Sequence, residues 1–258
     1  MNPLKSVQIQ PSNSTIIFCA GSLFIVQVVY ELFTSVMRVQ MPSDLPILYS
    51  LQHCPYAMRA RVAIFRSQQP VLIRAIKLNN KPPEMLALST KGTVPMLVLP
   101  DNQVIEESLD IILKVLNDSD PHQLLTAHGQ QPLTDIIAII TEFEQGFFVA
   151  VEAYKCAKRY QETNIMECRQ ACEVYLQKLE DRLTQHTFLT ADREGLLDIA
   201  LMPFVRQFSK VERQWYQQSP YPKLRAWLNS YLQSAMFTKV MAKHELWVDG
   251  HKDITFGG

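Results

Sequence analysis

Cys54-Pro55-Tyr56-Ala57 stands between an apolar run at Pro46–Ser50, which reads as a strand, and a helical pattern from Met58 to Phe65. A cysteine just ahead of a helix holds its sulfur near unpaired backbone N–H groups and the positive end of the helix dipole. Both favour a thiolate over a thiol. Pro55 in the first turn forfeits no hydrogen bond and presets the backbone. Ala57 occupies the position where a resolving cysteine would stand, so redox chemistry here uses one sulfur and an external thiol. The same residues also fit a half-buried structural cysteine at a helix start.

Other residues carry chemistry of their own. Val94-Pro95 directly precedes a strand and by itself reads as an ordinary strand-initiating proline. Glu107-Ser108 opens a helix, where free N–H groups and a hydroxyl suit a carboxylate, although serine and acids cap helices anyway. Tyr49 and Ser50 carry hydroxyls near the end of the first strand, where Tyr49 is also explained as a strand residue. Lys81, set between Asn80 and Pro82, is a free cation or a solvated lysine. Arg59 and Arg61 read as a charged coat on the first helix. Cys168 and Cys172 lie one turn apart with no histidine at zinc-ligand spacing, so no metal site is expected and they read as small apolar fillers.

These groups are positioned by two halves of different grammar. From Leu45 to about residue 118, short strands at Ile47–Tyr49, Val71–Ile76, Met96–Leu99 and Gln103–Ile105 alternate with helices at Pro55–Arg66, near Lys81–Glu84 and at Glu106–Leu116. That order implies a parallel pair joined by a crossover, plus an antiparallel hairpin turning at Pro100-Asp101-Asn102. Residues 119–131 read as a linker. Residues 132–250 are all helical, with one long amphipathic run from Pro132 to Tyr160, a second from Asn164 to Gln185, and others beginning at Gly195, Pro222 and Met236. Asp198 is placed to cap the third, with Gly195 as its N-cap. Residues 251–258 read as a tail. The expected fold is therefore an α/β thioredoxin-like domain followed by an all-α helical bundle.

Composition narrows the classes. The 258 residues carry 25 basic and 25 acidic side chains, so no overall field attracts nucleic acid or anionic membranes. No GxGxxG, Walker-type loop or HExxH is present. Five cysteines without a framework pattern favour a reducing compartment, hence the cytoplasm. Residues 1–44 form an extension whose apolar segment 15–37 is long enough to span a bilayer. It would anchor the chain to a membrane if it acts as one, and Met41 is the rival start of the protein.

Taken together, Leu48-Tyr49-Ser50 through Cys54-Pro55-Tyr56-Ala57-Met58-Arg59-Ala60-Arg61, Asn80-Lys81-Pro82, Gly92-Thr93-Val94-Pro95-Met96-Leu97 and Glu107-Ser108-Leu109 resemble the cytosolic glutathione S-transferase superfamily. Its cysteine-type branches, omega-like and bacterial, resemble the chain most. The resemblance implies glutathione as co-substrate and Cys54 as nucleophile in a thiol transferase or reductase. Val94 would pair its backbone with the cysteinyl part of glutathione beside cis Pro95. Glu107 and Ser108 would hold the γ-glutamyl end, Lys81 the glycyl carboxylate, and Tyr56 would pack beside the ligand. The second substrate would be a small disulfide or electrophile, met in the helical half, where Phe147, Phe148, Tyr154, Trp215 and Tyr216 are candidate walls or ordinary core. A homodimer is implied by analogy. Two alternatives stay open: conjugation of glutathione to an electrophile using Tyr49 or Ser50, and a non-catalytic binding protein on the same fold.

Overall fold

Four consecutive buried residues, Ile47–Ser50, form β1, and burial on both faces explains why its sequence does not alternate. The computed structural model describes residues 44–89 and 91–258, so the apolar segment 15–37 lies outside the described residues. After β1 come α1 (Pro55–Ser67), β2 (Val71–Ala75), α2 (Pro83–Leu88), β3 (Met96–Val98), β4 (Val104–Ile105) and α3 (Ser108–Asp118). β1 and β2 pair in parallel, Leu48 opposite Ile73. β3 runs antiparallel to β1, Tyr49 opposite Met96, and β4 antiparallel to β3. Asn102, with φ 67°, makes the hairpin turn in the left-handed region that asparagine tolerates. This is the thioredoxin-like half that the strand and helix order implies.

Residues 251–258 are not a tail, which corrects the sequence reading. Ile254–Phe256 form β5, antiparallel to β2, and the sheet order is β4-β3-β1-β2-β5. Three residues give too short a pattern to read as a strand, and their partner lies near the other end of the sequence.

The helical half comprises α4 (Leu133–Gln145), α5 (Phe147–Tyr160), α6 (Ile165–Gln185), α7 (Leu196–Ser209), α8 (Arg213–Gln218), α9 (Pro222–Leu232), α10 (Ala235–Val240) and α11 (Trp247–Gly250). The single run expected over residues 132–160 is two helices that meet at Gly146. A Cβ there would lie 1.8 Å from the Tyr175 hydroxyl on α6. The Tyr175 ring itself is set against Phe143 and Phe147, with centroids at 5.3 and 5.9 Å, so it has little room to retreat. Gly146→Ala is therefore expected to lower the urea unfolding free energy by about 1–3 kcal/mol, the cost of overpacking. On a Tyr175→Ala background the same change should cost far less, and an equal cost on both backgrounds would rule out the clash.

The halves share one core. α1 packs against α3 and against α7, which leaves it almost no solvent-facing side. The segment 119–131 is pinned rather than loose. The Asp120 carboxylate accepts from the Leu124 and Leu125 N–H groups, both at 2.8 Å, and Leu124 O accepts from Leu196 N at 3.0 Å. Asp198 is fully buried. Its Oδ1 accepts from Leu189 N (3.0 Å) and Trp227 Nε1 (2.9 Å), and its Oδ2 from Gly195 N (3.0 Å). One carboxylate thus caps α7 at Gly195, as the sequence suggests, and also ties α7 to α9 and to the preceding turn. Among the described residues no helix is long and apolar enough to cross a membrane.

Candidate active site

Cys54 is the N-cap of α1, in extended backbone, and its carbonyl accepts the first helical hydrogen bond from Met58 N at 2.9 Å. Its sulfur faces the Val94 carbonyl oxygen at 4.0 Å. The antiparallel register of β1 and β3 brings these two together: it sets the end of β1 opposite the start of β3, so the residues just beyond each strand converge. The Val94–Pro95 bond is cis, Val94 is half-buried and Pro95 buried.

Arg59 and Arg61 do not coat the surface, a second correction. Both are 2% exposed, because α1 is packed nearly all round. Arg59 donates through Nε and Nη2 to the Ser108 hydroxyl at 2.9 and 2.7 Å, and through Nη2 to Glu144 of α4. Its Nη1 has no hydrogen-bond partner among the described residues. With both oxygen lone pairs of Ser108 engaged, the hydroxyl proton is left free to donate to a ligand. Arg61 donates to the Ser50 hydroxyl and to three carbonyls, Leu51 (3.2 Å), Gln52 (2.7 Å) and Val240 (2.9 Å), which fixes the segment leading into Cys54. Burial lowers the Arg61 guanidinium to about 10; it lowers Arg59 too, opposed by the Glu144 carboxylate beside it.

The two rival hydroxyls are committed elsewhere. Tyr49 is 1% exposed and accepts from Arg74 Nη1 at 3.0 Å; burial raises its phenol above the ordinary value even though Arg74 opposes it. Arg74 in turn pairs with Asp253 at 3.1 Å and lies 3.7 Å over the Trp247 ring, so β5 and α11 brace Tyr49 from outside. Ser50 is buried on Arg61.

The remaining expected residues fall around the same loops. Gly92, with φ +58°, turns the chain into Val94, and a Cβ there would sit 3.6 Å from Lys81 Nζ, which places that ammonium beside the loop. Glu107 is the N-cap of α3, exposed and paired with Lys91 at 3.1 Å. Ser108 is buried on Arg59. Tyr56 is 39% exposed and sets its ring edge-on to Phe148 and Phe204. Of the candidate walls, only Phe148 reaches this cluster. Phe147 and Tyr154 are core, Tyr154 bonded to Glu212; Trp215 lies under Arg169, and the buried Tyr216 sets its ring edge-on to Phe208.

Sequence reasoning missed the Arg59–Glu144 pair, which joins the halves across the site. The signal was there: Pro55–Ser67 has no polar face other than its arginines, so a helix buried all round had to bury them.

A thiol at a helix start, facing the backbone before a cis proline in a thioredoxin-like half joined to a helical half, defines the glutathione transferase class. Family models agree: "Glutathione S-transferase, N-terminal domain" matches residues 48–122 and "Glutathione S-transferase, C-terminal domain" residues 158–230, together more than half of the sequence. The chain belongs to the glutathione S-transferase family. It is 26% identical over 194 residues to pyrimidodiazepine synthase of Drosophila melanogaster, covering 70% of this chain and 74% of that protein. It is 24% identical over 195 residues to a probable glutathione transferase omega-2 of Caenorhabditis elegans, with the same coverage of each. Among solved structures, glutathione transferase Omega 3C of Trametes versicolor superposes with a TM-score of 0.66 at 18% identity, over 85% of this chain and 93% of that one. A family member from Pseudomonas fluorescens with two glutathione bound gives 0.65 at 18%, over 81% and 96%.

Proposed function

We propose that this chain is a glutathione-dependent thiol transferase acting through a mixed disulfide between Cys54 and glutathione. One juxtaposition carries the reading. The Cys54 sulfur faces Val94 at the mouth of α1, while the Tyr49 and Ser50 hydroxyls that conjugation chemistry would need are buried on Arg74 and Arg61. The Val94 backbone pairs with the cysteinyl part of glutathione as an added strand would. Ser108 and the free N–H groups of α3 take the γ-glutamyl carboxylate, Glu107 exchanges Lys91 for the γ-glutamyl ammonium, and Lys81 takes the glycyl carboxylate. Tyr56 covers the ligand from the side. The likeness to a protein named as a probable omega-2 transferase supports a cysteine-type member. The chemistry consumes reduced glutathione, which suits a reducing compartment such as the cytoplasm.

The test is exposure of the purified protein to oxidised glutathione, followed by intact mass and peptide mapping. A single glutathione adduct on the Cys54 peptide is expected. Cys172, buried and pushed up to about 12 by that burial, should stay unmodified and serves as the internal control. An adduct confined to the exposed Cys156, or no adduct at all, overturns the reading.

A further inference from the structure

A cavity of about 450 Å³ lies between the Cys54 loop and the helical half. His53 and Pro55, the chain neighbours of Cys54, line one side of it. The other side, from α5, α7 and the C-cap of α7, carries Lys155, Lys158, Arg159, Arg206 and Lys210, and no carboxylate is among the lining residues. In a chain whose charges sum to zero, this is a local concentration and not a reflection of composition. Lys155 and Lys158 have carboxylate partners, Glu152 at 2.7 Å and Glu212 at 2.8 Å. Arg159, Arg206 and Lys210 have none among the described residues. Arg206 lies 5.2 Å over the Phe237 ring, which steadies the guanidinium without neutralising it. Burial lowers Arg206 and Lys210, and nearby cations push the same way: Arg213 acts on Arg206, and both Arg206 and Arg213 act on Lys210. Like charges held together without a counter-ion carry a repulsion that a bound anion would relieve.

Resting on the reading of Cys54 as nucleophile, we propose that this cavity receives the non-glutathione half of the second substrate and selects small disulfides whose tail is a carboxylate, sulfonate or phosphate. The Cys54 thiolate attacks the glutathionyl sulfur of a mixed disulfide. A bond forms between Cys54 and glutathione as the disulfide bond breaks, and the electron pair leaves with the second half as a thiolate whose anionic tail the cations hold. A further glutathione thiolate then attacks the glutathionyl sulfur on Cys54. Oxidised glutathione departs and the Cys54 thiolate is restored; one of its halves came in with the mixed disulfide, so a single reduced glutathione is consumed for each thiol released.

Two probes of matched size separate charge from shape: the mixed disulfides of glutathione with 2-mercaptoethanesulfonate and with 2-mercaptoethanol. Wild-type protein at low salt is expected to favour the sulfonate by about tenfold in kcat/KM, and the ratio should fall as salt screens the cations. Arg206→Gln and Lys210→Gln should each pull the ratio toward one. Reading the ratio within each variant removes any general loss of folding or thiol chemistry, because such a loss lowers both probes together. A wild-type ratio near one, or a ratio indifferent to both substitutions, overturns the anion selectivity. Turnover of either probe that survives Cys54→Ser overturns the underlying reading instead, and the two failures are thus distinguishable.

Discussion

Cys54→Ser is expected to lower kcat/KM for reduction of a glutathione mixed disulfide by on the order of 10³-fold or more, the scale seen when a nucleophile is removed from a site that otherwise stays intact. The chemistry requires a sulfur that can accept and release another sulfur, and a serine oxygen cannot form that bond. The fold should not suffer. Cys54 occupies the N-cap of α1 without making a side-chain cap bond, and serine is a better N-cap residue. The thermal midpoint of the variant should therefore match or exceed that of the wild type. A stable Cys54→Ser protein with undiminished disulfide turnover would remove the mixed-disulfide mechanism. Gain of conjugating activity toward an electrophile in that variant would point to a hydroxyl near the end of β1.

The second large effect is on stability. Asp198→Ala leaves three buried N–H donors, on Leu189, Gly195 and Trp227, without an acceptor. Each such orphan costs about 1–3 kcal/mol, so a loss of roughly 4 kcal/mol or more is expected in denaturant unfolding. Asp198→Asn should cost less. Its carbonyl can keep the two bonds made by Oδ1, and only Gly195 N–H is left facing an amide donor. Burial outweighs the three donors and lifts the Asp198 carboxyl to about 7. The folded chain thus holds this proton more firmly than the unfolded one. The stability it contributes is complete below about pH 4 and is lost as the pH rises through 7. The deficit of Asp198→Asn relative to wild type is accordingly expected to narrow between about pH 4 and pH 7 and to stay level above. A deficit that widens over that range would show the carboxylate to be the favoured buried form.

Local signals made much of this legible in the sequence. Pro55 after Cys54, Pro95 before an apolar triplet, and Asp198 three residues beyond Gly195 each act within one turn or one strand, and each stands where those rules put it. What escaped was decided at a distance. The burial of Arg59 and Arg61 depends on helices α3 and α7 closing over α1, and Glu144 comes from the other half of the chain. The need for glycine at position 146, where the run divides, comes from Tyr175, a residue on a different helix. The cations around the cavity belong to α5, α7 and the C-cap of α7, where each alone reads as part of a solvated face, and only the packing of those helices sets them beside the Cys54 loop.

β5 has a consequence for behaviour at high concentration. A sheet whose outermost strands are long and bare invites neighbouring molecules to zip onto its rim. Here one rim is the two-residue β4, and the five-residue β2 that would form the other is sealed by Ile254–Phe256. Fusions or truncations that peel those three residues away would bare Val71, Leu72 and Ile73 together and turn the sheet into a template for the protein's own precipitation.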